Sequence, residues 1–457
     1  MKSLIIIHDY KQNDNVFPIN MGYISTYLKE YDSEVDTFCM DTYHYTNQQL
    51  ADFLDKRDYD LICLNFLAPR FKETIIDLAK VINKHKKNAW FVVGGHGPSP
   101  IPNYILDKIK CDCVVIGEGE LVLKDIVDDK LSDNNKVIYY GKPIKRLDDI
   151  KYPDWDNFPL KRYVGNLKFP NQADDETMCN MISTRGCVNR CNFCYRLEKG
   201  IRTRSVDNVI GEIKELQKRL GNKLYIEFSD ECFVLSKKRM EEFKQKLKEN
   251  KIKISYWCAA RVDMISEEIL QLMKDTGCKF INYGFESMDD NVLKLMNKNT
   301  TSTDNRRAAR LTKAIGIPFG LNFIWNNLGD TKASLWESVE FIKKYNFYEH
   351  IRTIKPVTPY PGCPLYYEAI NRGLLDGPED FFNRFKNSDR ITVNYTYMSN
   401  YEMYNELFMA NADLLIDHCR HTGIPSEVCH SYINTFYDLY FKDNYSFRGL
   451  RHYEKSK

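Results

Sequence analysis

The sequence has no long apolar run and almost no net charge. No stretch approaches the roughly 18 apolar residues that a membrane-spanning helix needs, so we predict no membrane span. The 65 basic and 63 acidic residues leave a net charge of +2, which argues against a surface dedicated to nucleic acid. The apolar stretch within residues 1–9 is too short for a signal peptide, so we expect a first β-strand and a cytoplasmic protein.

Repeats, low-complexity tracts and a dinucleotide-binding glycine fingerprint are also missing from the sequence. In a chain without an export signal, fourteen cysteines imply reduced thiols rather than a disulfide framework. Four of them lie in apolar, strand-like runs, and we interpret these as small buried side chains: Cys39, Cys63, Cys258 and Cys278.

Three other cysteines share one short polar loop, because Cys187, Cys191 and Cys194 are separated by three residues and then two. Thiolates are soft ligands that suit iron–sulfur clusters and zinc. A [4Fe–4S] cluster on three thiolates leaves one iron without a protein ligand, able to bind a small molecule. A structural zinc site would need a fourth Cys or His nearby, and the next cysteine is Cys232. The spacing therefore favours an open-iron cluster over zinc.

Short apolar runs alternate with helix-like segments through the first 130 residues. Such alternation predicts a parallel sheet with helices on both faces and ligands at the carboxyl ends of the strands. Two Gly-rich turns fall at such ends, where glycine lets the backbone approach a ligand; they contain Gly94 and Gly95, and Gly117, Glu118 and Gly119. The predicted strands cover residues 4–8, 35–39, 61–66, 90–93 and 113–116, and the predicted helices cover 22–30, 48–56, 72–86 and 103–108.

A Pro-containing linker precedes a second alternation of strands and helices, which fits a partial barrel of six strand–helix units. Its predicted strands cover residues 180–184, 224–229, 254–259, 280–286, 318–324 and 351–355. We therefore predict an α/β protein with a doubly wound domain (1–140), a linker (141–177), a barrel (178–372) and a mostly helical tail (373–457).

The cysteine loop, with Phe193 directly before its last cysteine, resembles the cluster loop of the radical S-adenosylmethionine (SAM) enzymes. In that family the open iron chelates the amino and carboxylate groups of SAM. Electron transfer from the cluster then cleaves SAM and yields a 5′-deoxyadenosyl radical. The resemblance implies a (β/α)6 barrel, a [4Fe–4S] cluster, bound SAM and an external one-electron reductant of the flavodoxin or ferredoxin type.

Polar residues after successive predicted barrel strands match the family elements that hold SAM. The candidates are Ser229, Asp230, Glu231, Arg261, Glu286 and Asn322. The first three stand where the family often has Gly-Gly-Glu, although the two glycines are missing here. The resemblance implies that Arg261 meets the SAM carboxylate, since a guanidinium can bond it in two places. Glu286 would bind the ribose hydroxyls, and Asn322 would face the adenine or ribose. Helix capping is the alternative for the acidic residues, and their recurrence after successive strands favours the SAM site.

The order of the two domains resembles the cobalamin-dependent radical SAM class over residues 1–370, with specific similarity in 92–99 and 114–120. In that class the cobalamin tail enters a Rossmann-like domain and the corrin lies between the two domains. The resemblance implies that the two Gly-rich turns bind cobalamin. The Asp-x-His-x-x-Gly motif is absent, since Asp41 and His44 are one residue too far apart, so a domain that binds no cobalamin remains an alternative.

The resemblance to this class implies methyl transfer to an unactivated carbon, or a phosphorus, of a small metabolite, lipid or peptide. One SAM would methylate reduced cobalt, and a second would supply the radical. Cyclisation, rearrangement or oxidation, with or without cobalamin, is the alternative, and a non-enzymatic metal-binding protein is a third. We expect the tail to contact the substrate, particularly through the aromatic stretches 395–404 and 432–447.

Overall fold

Two six-stranded parallel sheets form the framework of the protein. The computed structural model describes residues 1–11, 15–31, 33–132, 134, 136–164 and 169–442. The strands are β1 (Lys2–Ile7), β2 (Glu34–Cys39), β3 (Leu61–Asn65), β4 (Trp90–Gly94), β5 (Cys113–Ile116), β6 (Ile138–Tyr140), β7 (Thr177–Met181), β8 (Thr184–Cys187), β9 (Gly200–Thr203), β10 (Leu224–Phe228), β11 (Ile254–Ala260), β12 (Cys278–Glu286), β13 (Phe319–Trp325) and β14 (Lys355–Pro356).

Helices follow most of the strands and cover the sheets. They are α1 (Ile19–Glu30), α2 (Met40–Tyr43), α3 (Asn47–Asp55), α4 (Ile76–His85), α5 (Pro102–Ile109), α6 (Val122–Leu131), α7 (Leu160–Tyr163), α8 (Val206–Leu220), α9 (Lys237–Glu249), α10 (Glu267–Asp275), α11 (Asp290–Leu295), α12 (Ser302–Ile315), α13 (Lys332–Tyr345), α14 (Pro364–Asn371), α15 (Pro378–Arg384), α16 (Asn400–Thr422) and α17 (Ser426–Phe441). In the described part of the chain, none of these helices combines the length and the apolar character needed to cross a membrane.

The N-terminal sheet has the strand order β2-β1-β3-β4-β5-β6 and is parallel throughout. Alternate strand residues point to opposite faces, so Ile5 packs with α1 and α6 while Leu4 packs with α3, α4 and α5. This confirms the predicted doubly wound fold. The prediction omitted α6 and β6, and β6 has only three residues, which is too short for an alternating pattern to show.

The second sheet has the order β14-β13-β12-β11-β10-β7 and is also parallel, which confirms the six-stranded partial barrel. The predicted first strand was displaced, because β7 ends at Met181 and residues from Thr184 form a separate antiparallel hairpin, β8–β9. The predicted last strand, 351–355, was wrong over most of its length. The amide of Asn411 on α16 bonds both backbone groups of Ile354, at 2.8 and 3.0 Å, and β14 begins only at the next residue.

The linker joins α1 of the N-terminal domain to α8 of the barrel. Trp155 packs on Phe17 with ring centroids 4.2 Å apart. Thr26 on α1 donates to the Tyr152 carbonyl at 2.9 Å, and the Tyr152 hydroxyl donates to the Asn208 carbonyl on α8 at 2.9 Å. These contacts place the carboxyl ends of the two sheets beside each other.

Candidate active site and cofactor cleft

The β8–β9 hairpin carries the cysteine loop at its end. Cys187 is the last residue of β8, and Cys191 and Cys194 follow in the loop before β9. Gly186 has φ of +88°, and a Cβ at this position would lie 2.3 Å from the Gly200 carbonyl oxygen. Only glycine fits here without displacing the facing strand. The backbone immediately before the first thiol is therefore tightly specified.

Asparagines fix the shape of the cysteine loop. The Asn189 amide donates to Cys191 Sγ at 3.5 Å, and its oxygen accepts from Asn299 at 2.7 Å. Asn192 donates its backbone N–H to the Met296 carbonyl at 2.8 Å. The bonds to Asn299 and to the Met296 carbonyl tie the loop to the segment after α11. These asparagines were not among the predicted site residues, and their only signal in the sequence is their position inside the cysteine spacing.

The three thiols fit a [4Fe–4S] cluster with one open iron. Cys187 and Cys191 are half-buried and Cys194 is exposed. Among the described residues, no three His, Cys, Asp or Glu side chains converge closely enough to hold a single ion. A cluster places one thiolate on each of three irons, so its ligands need not converge on one atom. Cys232, the next cysteine along the chain, is buried, and its thiol donates to the Val234 carbonyl at 3.4 Å.

Arg261 lies beside the cysteine loop at the end of β11. Its Nε and Nη2 each donate to Asp263 at 2.9 Å, and Nη2 also donates to the Lys298 carbonyl at 3.3 Å. Burial opposes its charge, but Asp263 and the thiols of Cys187 and Cys191 raise its pKa. The guanidinium edge formed by Nε and Nη2 is thus engaged by Asp263 rather than open to a SAM carboxylate.

Glu286 and Asn322 lie on the neighbouring strands β12 and β13. Lys298 donates to Glu286 Oε1 at 2.9 Å in a buried ion pair, and Glu286 itself has φ of +65°. Such strain in a non-glycine residue is found at functional sites. Asn322 is exposed on the sheet surface and donates to Asn282 at 2.7 Å and to the Tyr283 carbonyl at 2.8 Å.

The three polar residues after β10 separate into two roles. Asp230 is buried and accepts from the backbone N–H groups of Ser183 and Thr184 at 2.7 and 2.9 Å, which fixes the turn into β8. Burial raises its pKa to about 6. Ser229 and Glu231 instead line a cavity between the two domains.

This interdomain cavity has a volume of about 290 Å³. All five residues predicted from the Gly-rich turns line it, namely Gly94, Gly95, Gly117, Glu118 and Gly119. One part of it lies between the sheet and helices α1 and α6, where Met21, Val92, Val115 and Leu123 make it apolar. The cysteine-loop residues Arg196, Leu197 and Glu198 line the barrel side. The structure therefore brings the Gly-rich turns, Ser229 and Glu231 to one cleft beside the cluster loop.

The cavity residues fit a cobalamin. Gly95 and Gly117 have φ of +96° and +88°, conformations that suit glycine and leave the strand ends without side chains. The apolar part suits the flat aromatic base of the cobalamin tail. His44, the histidine of the incomplete Asp-x-His-x-x-Gly motif, has its Nδ1 atom 3.2 Å from Asp9 Oδ1.

Glu118 connects the two domains instead of presenting a free carboxylate to the cavity. It accepts from the Ile144 N–H at 3.0 Å and from Arg202 Nη1 at 3.1 Å, and Arg185 lies 3.4 Å away. Arg185 also pairs with Glu120 at 2.5 Å. The two arginines belong to the β8–β9 hairpin, so this buried ion-pair network attaches the cluster-bearing hairpin to the N-terminal domain. Neither arginine was among the predicted site residues.

Glu118→Ala is expected to lower the free energy of unfolding by about 3 kcal/mol, because it leaves Arg202, whose side chain is only 19% exposed, without its acidic partner. The substitution of the exposed Glu34 by Ala should cost less than about 1 kcal/mol of unfolding free energy.

The stabilisation by Glu118 should also depend on pH, because the arginines and the Ile144 N–H outweigh burial and lower the pKa of Glu118. Its stabilisation is therefore present above pH 4.5 and is lost as the pH falls further. Urea unfolding at pH 7 and pH 4 measures both effects, and equal losses in the two variants would exclude the network.

Comparison with known proteins agrees with this geometry. The B12 binding domain model matches residues 12–127 and the Radical SAM superfamily model matches residues 181–342. An uncharacterised methyltransferase of Pyrococcus horikoshii is 28% identical over 383 residues, covering 78% of this chain and 79% of the relative.

Two solved structures share the fold. The cobalamin-dependent SAM radical enzyme OxsB with aqua-cobalamin bound has a TM-score of 0.63 at 20% identity, and the match covers 81% of this chain but 55% of OxsB. The radical SAM methyltransferase TsrM from Kitasatospora setae, with cobalamin and a [4Fe–4S] cluster bound, has a TM-score of 0.63 at 16% identity, covering 82% and 79% of the two chains. The chain belongs to the cobalamin-dependent radical SAM enzymes.

Proposed function

We propose that the protein is a cobalamin-dependent methyltransferase that modifies an unactivated carbon, or a phosphorus, of a small molecule. The observation that carries the proposal is the single cleft that joins the Gly-rich turns to the cysteine loop. A methyl donor in the N-terminal domain and a radical generator in the barrel would then face one substrate. The Pyrococcus horikoshii relative and TsrM, both described as methyltransferases, support this outcome.

Each group would be held by residues already described. Cys187, Cys191 and Cys194 would hold the cluster, and the Gly-rich turns would hold cobalamin. Bound together, the cluster and SAM supply hydrogen abstraction from an unactivated carbon, and cobalamin supplies a transferable methyl group. Within this chain, Glu286 would orient the ribose of SAM, and Lys298, which donates to Glu286, would hold that carboxylate in place.

Two of the six SAM candidates, Asp230 and Arg261, have roles in this proposal that differ from the direct contacts first predicted for them. Asp230 would act indirectly, by fixing the turn before the cysteine loop. Arg261 would position the SAM carboxylate only through the part of its guanidinium that Asp263 does not engage. Ser229 and Glu231, which line the cleft, would meet the SAM amino group, and Asn322 would face its adenine or ribose.

The proposal also includes an external one-electron reductant and a cytoplasmic location. Val188 and Arg190 are exposed on the cysteine loop, so a flavodoxin- or ferredoxin-type protein would reach the cluster from this side.

None of the fourteen cysteines forms a disulfide, which suits a reducing compartment such as the cytoplasm. That the aromatic tail contacts the substrate stays a prediction; Tyr397 and Tyr401 are exposed, and residues 443–447 lie outside the described residues.

Labelled SAM tests the proposed reaction. The protein is reconstituted anaerobically with iron, sulfide and hydroxocobalamin, then incubated with SAM carrying a trideuteromethyl group, a reductant and a small-molecule cell extract. We expect mass spectrometry to show an extract component that gains the labelled methyl, only when cobalamin is supplied. Formation of 5′-deoxyadenosine with an unlabelled, altered product would contradict methyl transfer and support a rearrangement or cyclisation.

A further inference from the structure

Glu227 is a carboxyl group inside the barrel that the SAM site does not use. It lies on β10, in register with Asn180 on β7 and with Trp257 on β11. Neighbouring residues in register on parallel strands project from the same face of the sheet. The adjacent Phe228 belongs to the opposite face, where it packs against Phe243 of α9. Glu227, Asn180 and Trp257 therefore share the lumen face of the barrel.

The lumen beside Glu227 is open above and closed below. Several lumen-facing positions on the central strands are partly or fully accessible, namely Trp257, Ala259, Asn282, Gly284 and Asn322. At the amino ends of the strands, Phe169 from the linker stacks on Tyr225 and packs against Trp257, with ring centroids 5.9 and 5.4 Å apart. The barrel thus has an aromatic floor, and Glu227 stands directly above it.

The polar atoms above this floor lack partners. Trp257 Nε1 and Asn180 Oδ1 are buried and make no hydrogen bond. Asn180 is only 2% exposed, and its nitrogen donates to the Phe17 carbonyl at 2.9 Å. Among the described residues, no Lys, Arg or His forms an ion pair with Glu227, whose interaction is with Ser229. A half-buried carboxyl group without a cationic partner and two buried, unbonded polar atoms are costly unless a ligand satisfies them.

We infer that this lumen floor binds the substrate through an ammonium group, which Glu227 and Asn180 hold above the Trp257 ring. The inference rests on the proposed function only in taking the ligand to be the methyl acceptor. An ammonium supplies the missing positive charge to Glu227 and a donor to Asn180 Oδ1. It also lies well over an aromatic ring, which attracts cations. The substrate class is accordingly a small primary amine rather than a lipid.

Burial raises the pKa of Glu227 to about 7, and Ser229 opposes the shift. An adjacent ammonium would lower this pKa, so the amine should bind more tightly at pH 8 than at pH 6. Other titratable groups on the surrounding elements already bond elsewhere: Tyr225 to the Pro170 carbonyl, Arg261 to Asp263, Lys298 to Glu286 and Arg352 to the Phe319 carbonyl. Glu231, which follows β10 and lines the cleft, has its own pKa raised by burial.

Fluorine NMR of the full-length holoprotein labelled with 5-fluorotryptophan tests this site. The Trp257 resonance is assigned with Trp257→Phe, and the probes are ethanolamine, ethylene glycol and glycolate, which share a hydroxyl group and two carbons. We expect ethanolamine alone to shift the resonance, with tighter binding at pH 8 than at pH 6. Glu227→Gln should weaken ethanolamine binding roughly tenfold or more, whereas Glu242→Gln, on the exposed face of α9, should not.

The inference would be overturned by no shift with ethanolamine, an equal shift with ethylene glycol, a shift with glycolate instead, or unchanged binding in Glu227→Gln. If SAM alone shifts the Trp257 resonance and prevents the ethanolamine shift, the floor belongs to SAM and the inference fails. Circular dichroism establishes that the Gln variant is folded. Because this binding assay contains no reductant, its result is independent of whether methyl transfer is observed.

Discussion

Cys191→Ala is expected to reduce SAM cleavage to background and to lower the iron content of the reconstituted protein. The variant leaves two thiolates, so a second iron loses its protein ligand. Even partners of metal ligands cost about 10- to 100-fold when removed, and loss of a ligand should exceed that range. Iron analysis and chromatographic detection of 5′-deoxyadenosine measure the effect. The N-terminal domain does not contain the loop, so hydroxocobalamin retention should persist.

Cys419→Ala is the matched control for this prediction. Cys419 is a buried thiol on α16, outside the cysteine loop, and acts as a small apolar side chain. We expect this variant to retain its iron and its SAM cleavage. If Cys191→Ala behaved in the same way, the three-thiol cluster would be disproved.

Gly186→Ala is expected to destabilise the hairpin that ends at the first cluster thiol. Across the β8–β9 pair, Gly186 is opposite Ile201 and Gly200 is opposite Cys187, and both glycines have positive φ, +88° and +78°. Alanine in this conformation costs about 1–2 kcal/mol at either position. At Gly186 its Cβ would also lie 2.3 Å from the Gly200 carbonyl oxygen, whereas a Cβ on Gly200 meets nothing within 4 Å.

Overpacking adds about 1–3 kcal/mol at Gly186, so we expect a total loss of roughly 2–5 kcal/mol there and 1–2 kcal/mol at Gly200. The larger loss should displace Cys187 and reduce cluster retention. Urea unfolding and iron content after gel filtration compare the two variants. Equal iron retention and equal stability would show that the hairpin does not hold the cluster loop in place.

The sequence predicted most successfully those features whose evidence is local. The cysteine spacing is contained in eight residues, and the strand–helix alternation repeats along the chain, so the family and the two sheets followed directly. The five residues of the Gly-rich turns all reached one cavity, because the carboxyl ends of parallel strands lie at a common edge.

Roles that depend on distant partners could not be predicted from the sequence. The predicted contact of Asp230 with SAM stays a prediction, and its bond to the backbone of Ser183, 47 residues earlier in the chain, could not be foreseen. Glu118 lines the interdomain cavity, but nothing in the sequence indicates that it also pairs with Arg202, 84 residues later. No spacing rule connects such residues. The same holds for Asn411 on α16, which bonds the backbone of Ile354 and so shortens the last strand.

Metal analysis of one reconstituted preparation tests the combined cofactor site most directly. The protein is loaded anaerobically with iron, sulfide and hydroxocobalamin and freed of excess by gel filtration. We expect four irons and one cobalt per chain, together with corrin absorbance. Stoichiometric zinc without iron, or a full cluster without retained cobalt, would contradict a cleft that holds both cofactors.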